Sequence, residues 1–163
     1  EIAMSYFSQA VAERGIGHYE TEIVAAASQY SVDPDLIRAV IAAESAWQSN
    51  ARREEPRISD ASWGLMQVLL RTANVIQPGT TVAQLLDPAT NIRVGTAYLA
   101  GRIDTYGDVR LAVSAYNAGR PITGNQSYVE TVMQYYEFYR LIANPVPPSD
   151  GGDGDMPPFP GVA

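Results

Sequence analysis

Apolar residues recur every three or four positions along most of this chain, and Gly, Pro and Asp divide the pattern into helical segments. Ile2, Tyr6, Phe7, Ala10 and Val11 place a helix in residues 1–14, broken by Gly15 and Gly17. Ile23, Val24, Ala27 and Tyr30 share one face of a second helix over 19–30, and a third spans 33–48. Residues 49–60 are polar and charged and read as a loop, either a binding loop or a solvated connection. Leu65, Met66, Val68, Leu69 and Ala73 resume helical spacing over 61–75, and a short helical piece covers 81–86. Asp87-Pro88 opens a long helix to about Tyr106, with Ile92, Tyr98, Leu99 and Ile103 on it. Gly95 and Gly101 lower its propensity, which predicts close approach of another backbone at both positions. Asp108 caps a helix to about Asn117, and Tyr128, Val132, Tyr135, Tyr139 and Ile142 mark the last, over 127–142. No segment alternates with the period of a strand, so the expected class is all-α. From Asn144 the chain turns to Pro, Gly and Asp and predicts a linker or disordered tail leading to a further domain or partner. The division is an N-terminal helical segment at 1–18, a main domain at 19–143 and the tail at 144–163.

The third helix organises the rest. Asp33 suits the cap, Pro34 the first helical position, and Asp35 complements the positive pole of the macrodipole. At 100° per residue Leu36, Val40, Ile41 and Trp47 form one stripe, with Arg38, Ala42 and Ser45 pointing elsewhere. Glu44 falls within that stripe. A carboxyl pressed among apolar groups loses hydration, its pKa rises, and it gains the proton a general acid needs near neutral pH. The alternative is a Glu paired with a neighbouring Arg or Lys.

Composition narrows the chemistry. With no Cys, thiol nucleophiles, iron–sulfur clusters and cysteine zinc sites are excluded, and a single His18 argues against a Ser-His-Asp triad or a histidine-rich metal site. Carboxylates, tyrosines and amides remain, and neither metal nor cofactor is implied. A net charge of −7, from 18 acidic and 11 basic residues, argues against nucleic acid as partner. The longest apolar run is too short to span a membrane. The chain opens at Glu1 without a basic and apolar leader, as a mature or excised piece of a longer protein does.

Four clusters in order complete the pattern: Glu44-Ser45, Gly64-Leu65-Met66-Gln67, Asn91-Ile92 with Gly95 and Tyr98-Leu99, and Ala115-Tyr116-Asn117-Ala118-Gly119, with Tyr128-Val129 after them. Over residues 20–142 this set resembles the lytic transglycosylase SLT domain, related in fold to goose-type lysozyme. The resemblance implies a helical lysozyme-like domain with a substrate cleft, acting on peptidoglycan glycan strands in the periplasm, in the cell wall or on a phage virion. It implies cleavage of the β-1,4 bond between N-acetylmuramic acid and N-acetylglucosamine. Glu44 would protonate the glycosidic oxygen, then take the proton of the muramic C6 hydroxyl as a 1,6-anhydro ring closes. No second carboxylate is required, because the nucleophile is intramolecular.

The same resemblance gives Gly64 close backbone approach to the sugar, Met66 an apolar wall, and Gln67 hydrogen bonds to hydroxyl or N-acetyl groups. Tyr116 becomes a cleft tyrosine within reach of Glu44 or the sugar, Asn117 orients nearby backbone, and Tyr128 stands beside the carboxyl. Core packing is the competing reading for Met66, Gln67, Tyr116 and Tyr128, and the favoured one for Leu65, Gly95 and Leu99. Ser45, which faces away, is expected to be structural. The chain departs from the family where typical members carry Ser-Pro-x-Gly-Ala, having Ser59-Asp60-Ala61-Ser62-Trp63 after a longer loop, and where Gly124 stands for a frequent Glu. Two other readings stay open: a hydrolysing goose-type muramidase using Glu54, Glu55 or Asp60 to hold water, and a wall-binding module without turnover. Leu69, where goose-type enzymes carry Asp, weighs against the first.

Overall fold

The computed structural model describes residues 4–143; the expected tail at 144–163 lies outside the described residues. Eight helices follow the apolar pattern: α1 (Tyr6–Arg14), α2 (Glu20–Tyr30), α3 (Pro34–Ser45), α4 (Leu70–Ile76), α5 (Val82–Leu85), α6 (Pro88–Tyr106), α7 (Val109–Ala118) and α8 (Gln126–Ala143). Their starts are set by side chains that satisfy free backbone N–H groups. Asp33 Oδ1 accepts from Asp35 N at 2.8 Å, Asp87 Oδ2 from Thr90 N at 3.1 Å, and Asp108 Oδ1 from Leu111 N at 2.9 Å. Thr81 and Gln84 close a capping box at α5.

α3 is the central element, packed mainly along α8, while α6 lies against α7 and α2. Its burial is wider than one stripe. Ala39 and Ala42 are buried together with Leu36, Val40 and Ile41, and Ser45, expected to face away, is buried with its Oγ donating to Ile41 O at 3.1 Å. The helix stops at Ser45, short of the expected Gln48, because Ala46 and Trp47 both take left-handed backbone angles. Trp47 is held there from several sides. Its indole N–H donates to the Tyr139 hydroxyl at 3.0 Å, Tyr19 stacks on it, and a Cβ on Gly15 would fall 1.9 Å from its ring. The N-terminal segment joins this packing through Val11 and Ala12 of α1, which are buried, and through Met4 and Gly15, whereas Tyr6 and Phe7 are exposed.

The fold is mostly helical, as expected; the stretch from Ser49 to Leu69 departs from the loop and helix expected there. A small antiparallel sheet forms here from β1 (Arg52–Glu55), β2 (Asp60–Trp63) and β3 (Val68–Leu69), in the order β1-β2-β3, with a single 3₁₀ turn at Pro56–Ile58. Arg52 pairs with Trp63, Glu55 with Asp60, and Trp63 with Val68. The helix expected over 61–75 is therefore confined to α4. Leu65, Met66 and Val68 are buried all the same, by a tight turn between β2 and β3. Gly64 enters that turn with φ 74°, and Asn91 of α6 holds it from below. Fully buried, Asn91 donates Nδ2 to Trp63 O and Leu85 O at 2.8 Å each and accepts from Met66 N at 2.8 Å.

Candidate active site

The end of α3, the sheet, the start of α4, the middle of α6 and the end of α7 surround one groove of about 280 Å³. Glu44 stands at its wall, one residue before the end of α3. Its carboxyl keeps a window onto the groove but is otherwise walled in by protein, and this loss of hydration pushes its pKa up to about 7. The negative pole of α3 acts in the same direction. Tyr128 and Arg53 hold the value down, and Glu55 raises it.

Tyr128 is partly buried, but its hydroxyl is fully enclosed, and this burial together with the neighbouring Glu44 keeps it protonated far above the usual range. That hydroxyl acts on the carboxyl without making a full hydrogen bond, and it has no other partner among the described residues. Tyr116 behaves differently. Its side chain lines the groove, but its hydroxyl donates to the backbone carbonyl of Met66 at 2.6 Å, so that proton ties α7 to the β2–β3 turn and goes to neither of the partners expected for it, Glu44 or the sugar.

Gln67 and Asn117 also line the groove. Gln67 adopts φ 48° and gives both protons of its amide to backbone carbonyls, Ala51 O at 3.1 Å and Gly64 O at 3.0 Å, which leaves its carbonyl oxygen for a ligand. Asn117 accepts from Asn125 Nδ2 at 3.0 Å, within a network that also joins Ser114 to Asn125 and Ile122. Gly64 and Met66 lie behind the groove. A Cβ on Gly64 would meet Asn91 at 2.4 Å, so the glycine serves the turn; Met66 is fully buried against Gly95, where a Cβ would fall 2.6 Å from its sulfur. Neither offers the sugar contact expected of it.

Residues beyond that expected set complete the wall. Glu55 is fixed by Arg53 Nε at 2.8 Å and Ser62 Oγ at 3.2 Å, and both it and Arg53 face the groove. Glu55 was open to the sequence only as one of three acidic residues in a loop; the pairing of β1 with β2 singles it out. Glu54 instead pairs with Arg52, and the Asp60 carboxylate caps Ala61 N at 2.8 Å. Tyr98 lies tilted against Tyr116, ring centroids 5.3 Å apart, and gives the groove an aromatic side. In the sequence it belongs to the Tyr98-Leu99 pair that marks the long helix, without a role of its own at the site.

A mostly helical, lysozyme-like domain with a poorly hydrated carboxyl, Glu44, in a groove is thus the class that fold and site define. The chain belongs to the transglycosylase SLT domain family, whose model matches residues 22–133. It is 38% identical over 99 residues to the transglycosylase of Enterobacteria phage PRD1, covering 60% of this chain and 33% of that protein. To the X polypeptide of Escherichia coli it is 36% identical over 121 residues, covering 72% and 71%. Among solved structures, the 70-kDa soluble lytic transglycosylase of Escherichia coli superposes with a TM-score of 0.67 at 27% identity, over 77% of this chain and 24% of that one. An inactive mutant of lytic transglycosylase Slt from Pseudomonas aeruginosa, with one glutamate replaced by glutamine, gives 0.67 at 26% identity, over 78% and 24%. The chain thus spans about a third of the phage protein and about a quarter of the solved enzymes.

Proposed function

We propose that this chain is a peptidoglycan lytic transglycosylase with Glu44 as its one acid–base residue. What carries the reading is a carboxyl set in a groove, its pKa raised to about 7 by burial, with no cation within salt-bridge distance among the described residues. As the bond from the muramic anomeric carbon to the glycosidic oxygen breaks, the Glu44 proton passes to that oxygen and the N-acetylglucosamine end leaves as an alcohol. The Glu44 carboxylate then accepts the proton of the muramic C6 hydroxyl as its oxygen bonds to the anomeric carbon. Tyr128, kept protonated, supports the carboxylate stage, because a neutral donor stabilises a buried negative charge. Gln67, Asn117 and Tyr98 would hold the sugar chain, and Gly64, Met66 and Tyr116 keep the turn beneath it in place. The name of the soluble lytic murein transglycosylase, 31% identical over 139 residues, agrees with a wall substrate. Its site of action would be outside the cytoplasm or on a virion, the latter supported by the phage relative.

Mass analysis of muropeptides released from purified wall tests this. Anhydro-ended products are expected from wild type, with a loss of about 10²–10⁴-fold in rate for Glu44→Gln. Wild-type lysis by that variant would remove Glu44 from the mechanism. A second reading, hydrolysis, draws support from Glu55, a second carboxylate fixed on the same groove wall. Free reducing ends among the products would select it.

A further inference from the structure

The helix that carries Glu44 ends one residue beyond it, on two strained residues. Ala46 and Trp47 take φ 51° and 67° in succession, a region that residues with a Cβ enter only where their surroundings hold them. Neither position is a Gly or an Asn, the residues that take it freely. The hold comes from α1. Arg14 Nη1 donates to Ala46 O at 3.0 Å, taking up a carbonyl that the end of α3 leaves free. Gly15 is buried against the Trp47 indole, and a Cβ there would enter the ring. The Tyr139 hydroxyl, which accepts from the indole N–H at 3.0 Å, donates to Ala12 O at 2.7 Å, so α1, Trp47 and α8 share one chain of hydrogen bonds. α1 lies upstream of the residues that match the family model, yet it clamps the residues that follow Glu44.

The break at Ala46 and Trp47 also sets where the chain goes next. Shortly after it, Ala51 O accepts from Gly64 N at 2.8 Å and from Gln67 Nε2 at 3.1 Å, and β1 begins at Arg52. Arg53 and Glu55 of that strand line the groove with Glu44, close enough for both charges to act on it. A break that relaxed would carry this wall away and let water reach the carboxyl.

We propose that Arg14 and Gly15 are positioning residues for Glu44: through Ala46 and Trp47 they fix the direction in which the chain leaves α3, and so keep the β1 wall beside the carboxyl. This rests on the reading of Glu44 as the acid–base residue. Around Glu44 stand Arg53 and Glu55 of β1, Arg71 of α4, Tyr98 of α6, Tyr116 of α7 and Tyr128 of α8. A substitution at Gly15 alters none of them chemically, so a shifted titration of Glu44 reads a change in geometry.

Two glycines next to one another in the chain's first turn region separate positioning from plain stability. Gly15→Ala should displace Trp47, whereas Gly17→Ala, at φ 78° with nothing within 4 Å of a Cβ, strains the backbone without touching the indole. The Glu44 carboxyl carbon is followed by NMR in chains labelled at glutamate, its resonance assigned by its loss in Glu44→Gln. The midpoint near 7 should fall by about half a unit or more in Gly15→Ala and stay in Gly17→Ala, with both variants destabilised in urea. The alkaline limb of kcat/KM should move with the midpoint, at about tenfold less activity at pH 8 for each unit. Where Gly15→Ala does not fold, Arg14→Met, on an exposed side chain, carries the test: the midpoint should fall, and Arg14→Lys should restore it. Loss of a cation alone would raise the midpoint, so a fall reads the clamp. A midpoint that stays in the variant carrying the test, or falls as far in Gly17→Ala, overturns the proposal. A midpoint that falls while wild type cleaves no wall sinks the parent reading and leaves the positioning standing.

Discussion

At the scale of single residues, burial raises the pH at which Glu44 holds its proton, and two charges on the groove wall adjust it. Glu55 opposes the Glu44 carboxylate and Arg53 favours it. The free enzyme needs the protonated form, so kcat/KM should fall as pH rises through about 7. Removing Glu55 lowers the pKa of Glu44, so Glu55→Gln should move this alkaline limb to lower pH. Arg53→Gln should move it higher, because it removes a cation and leaves Glu55 unpaired. Rate profiles of the three proteins on one wall suspension check both signs, and limbs that coincide would show that the pair does not act on Glu44. The two buried tyrosines separate on stability. Tyr116→Phe leaves the Met66 carbonyl without its 2.6 Å donor and should cost about 1–3 kcal/mol. Tyr128→Phe removes a hydroxyl with no full partner and should leave chemical denaturation at pH 5, where folded Glu44 is protonated, almost unchanged, while raising the pH of the alkaline limb.

At the scale of elements, what was legible followed from local chemistry. The Asp33-Pro34, Asp87-Pro88 and Asp108 starts are written in cap and proline positions, and the structure begins helices at each. The sheet was not legible. Its strands hold four, four and two residues, and Arg52-Arg53-Glu54-Glu55 is mostly exposed, so it carries no alternation of apolar and polar positions. In 64–69 the apolar run is buried by a turn that depends on a partner 25 residues on, Asn91, and periodicity cannot register such a partner. The same long-range closure brings Arg53 and Glu55 to Glu44 and sends Met66 inward. Glu44 itself could be read, because a lone carboxyl among apolar helix positions is a local anomaly. If Asn91 is the tie that shapes this wall, Asn91→Ala strands one N–H and two carbonyls and should cost about 3 kcal/mol or more. Asn91→Asp should not rescue it, since the carboxylate retains the acceptor for Met66 N but loses both donors. Urea denaturation of the two variants reads this directly.

At the scale of the whole molecule, the raised pKa of one side chain becomes a property of folding. Unfolded, the Glu44 carboxyl titrates near 4.5; folded, at about 7. Below both values it is protonated in either state and adds nothing. Between them the folded chain binds the extra proton, so stability falls as pH rises, and above about 7 the full penalty of a poorly solvated carboxylate is present. A shift of this size corresponds to roughly 3 kcal/mol. Glutamine keeps the shape without the charge, so Glu44→Gln should melt with wild type near pH 4 and above it near pH 8, by about 2–4 °C for each kcal/mol gained. The net charge of −7 also changes with pH, but its repulsion acts on both proteins almost alike and largely cancels in the difference. Paired calorimetric scans across that range make the test. Parallel curves would mean that water reaches the Glu44 carboxyl freely, and a carboxyl so hydrated would have no proton to give a glycosidic oxygen at neutral pH.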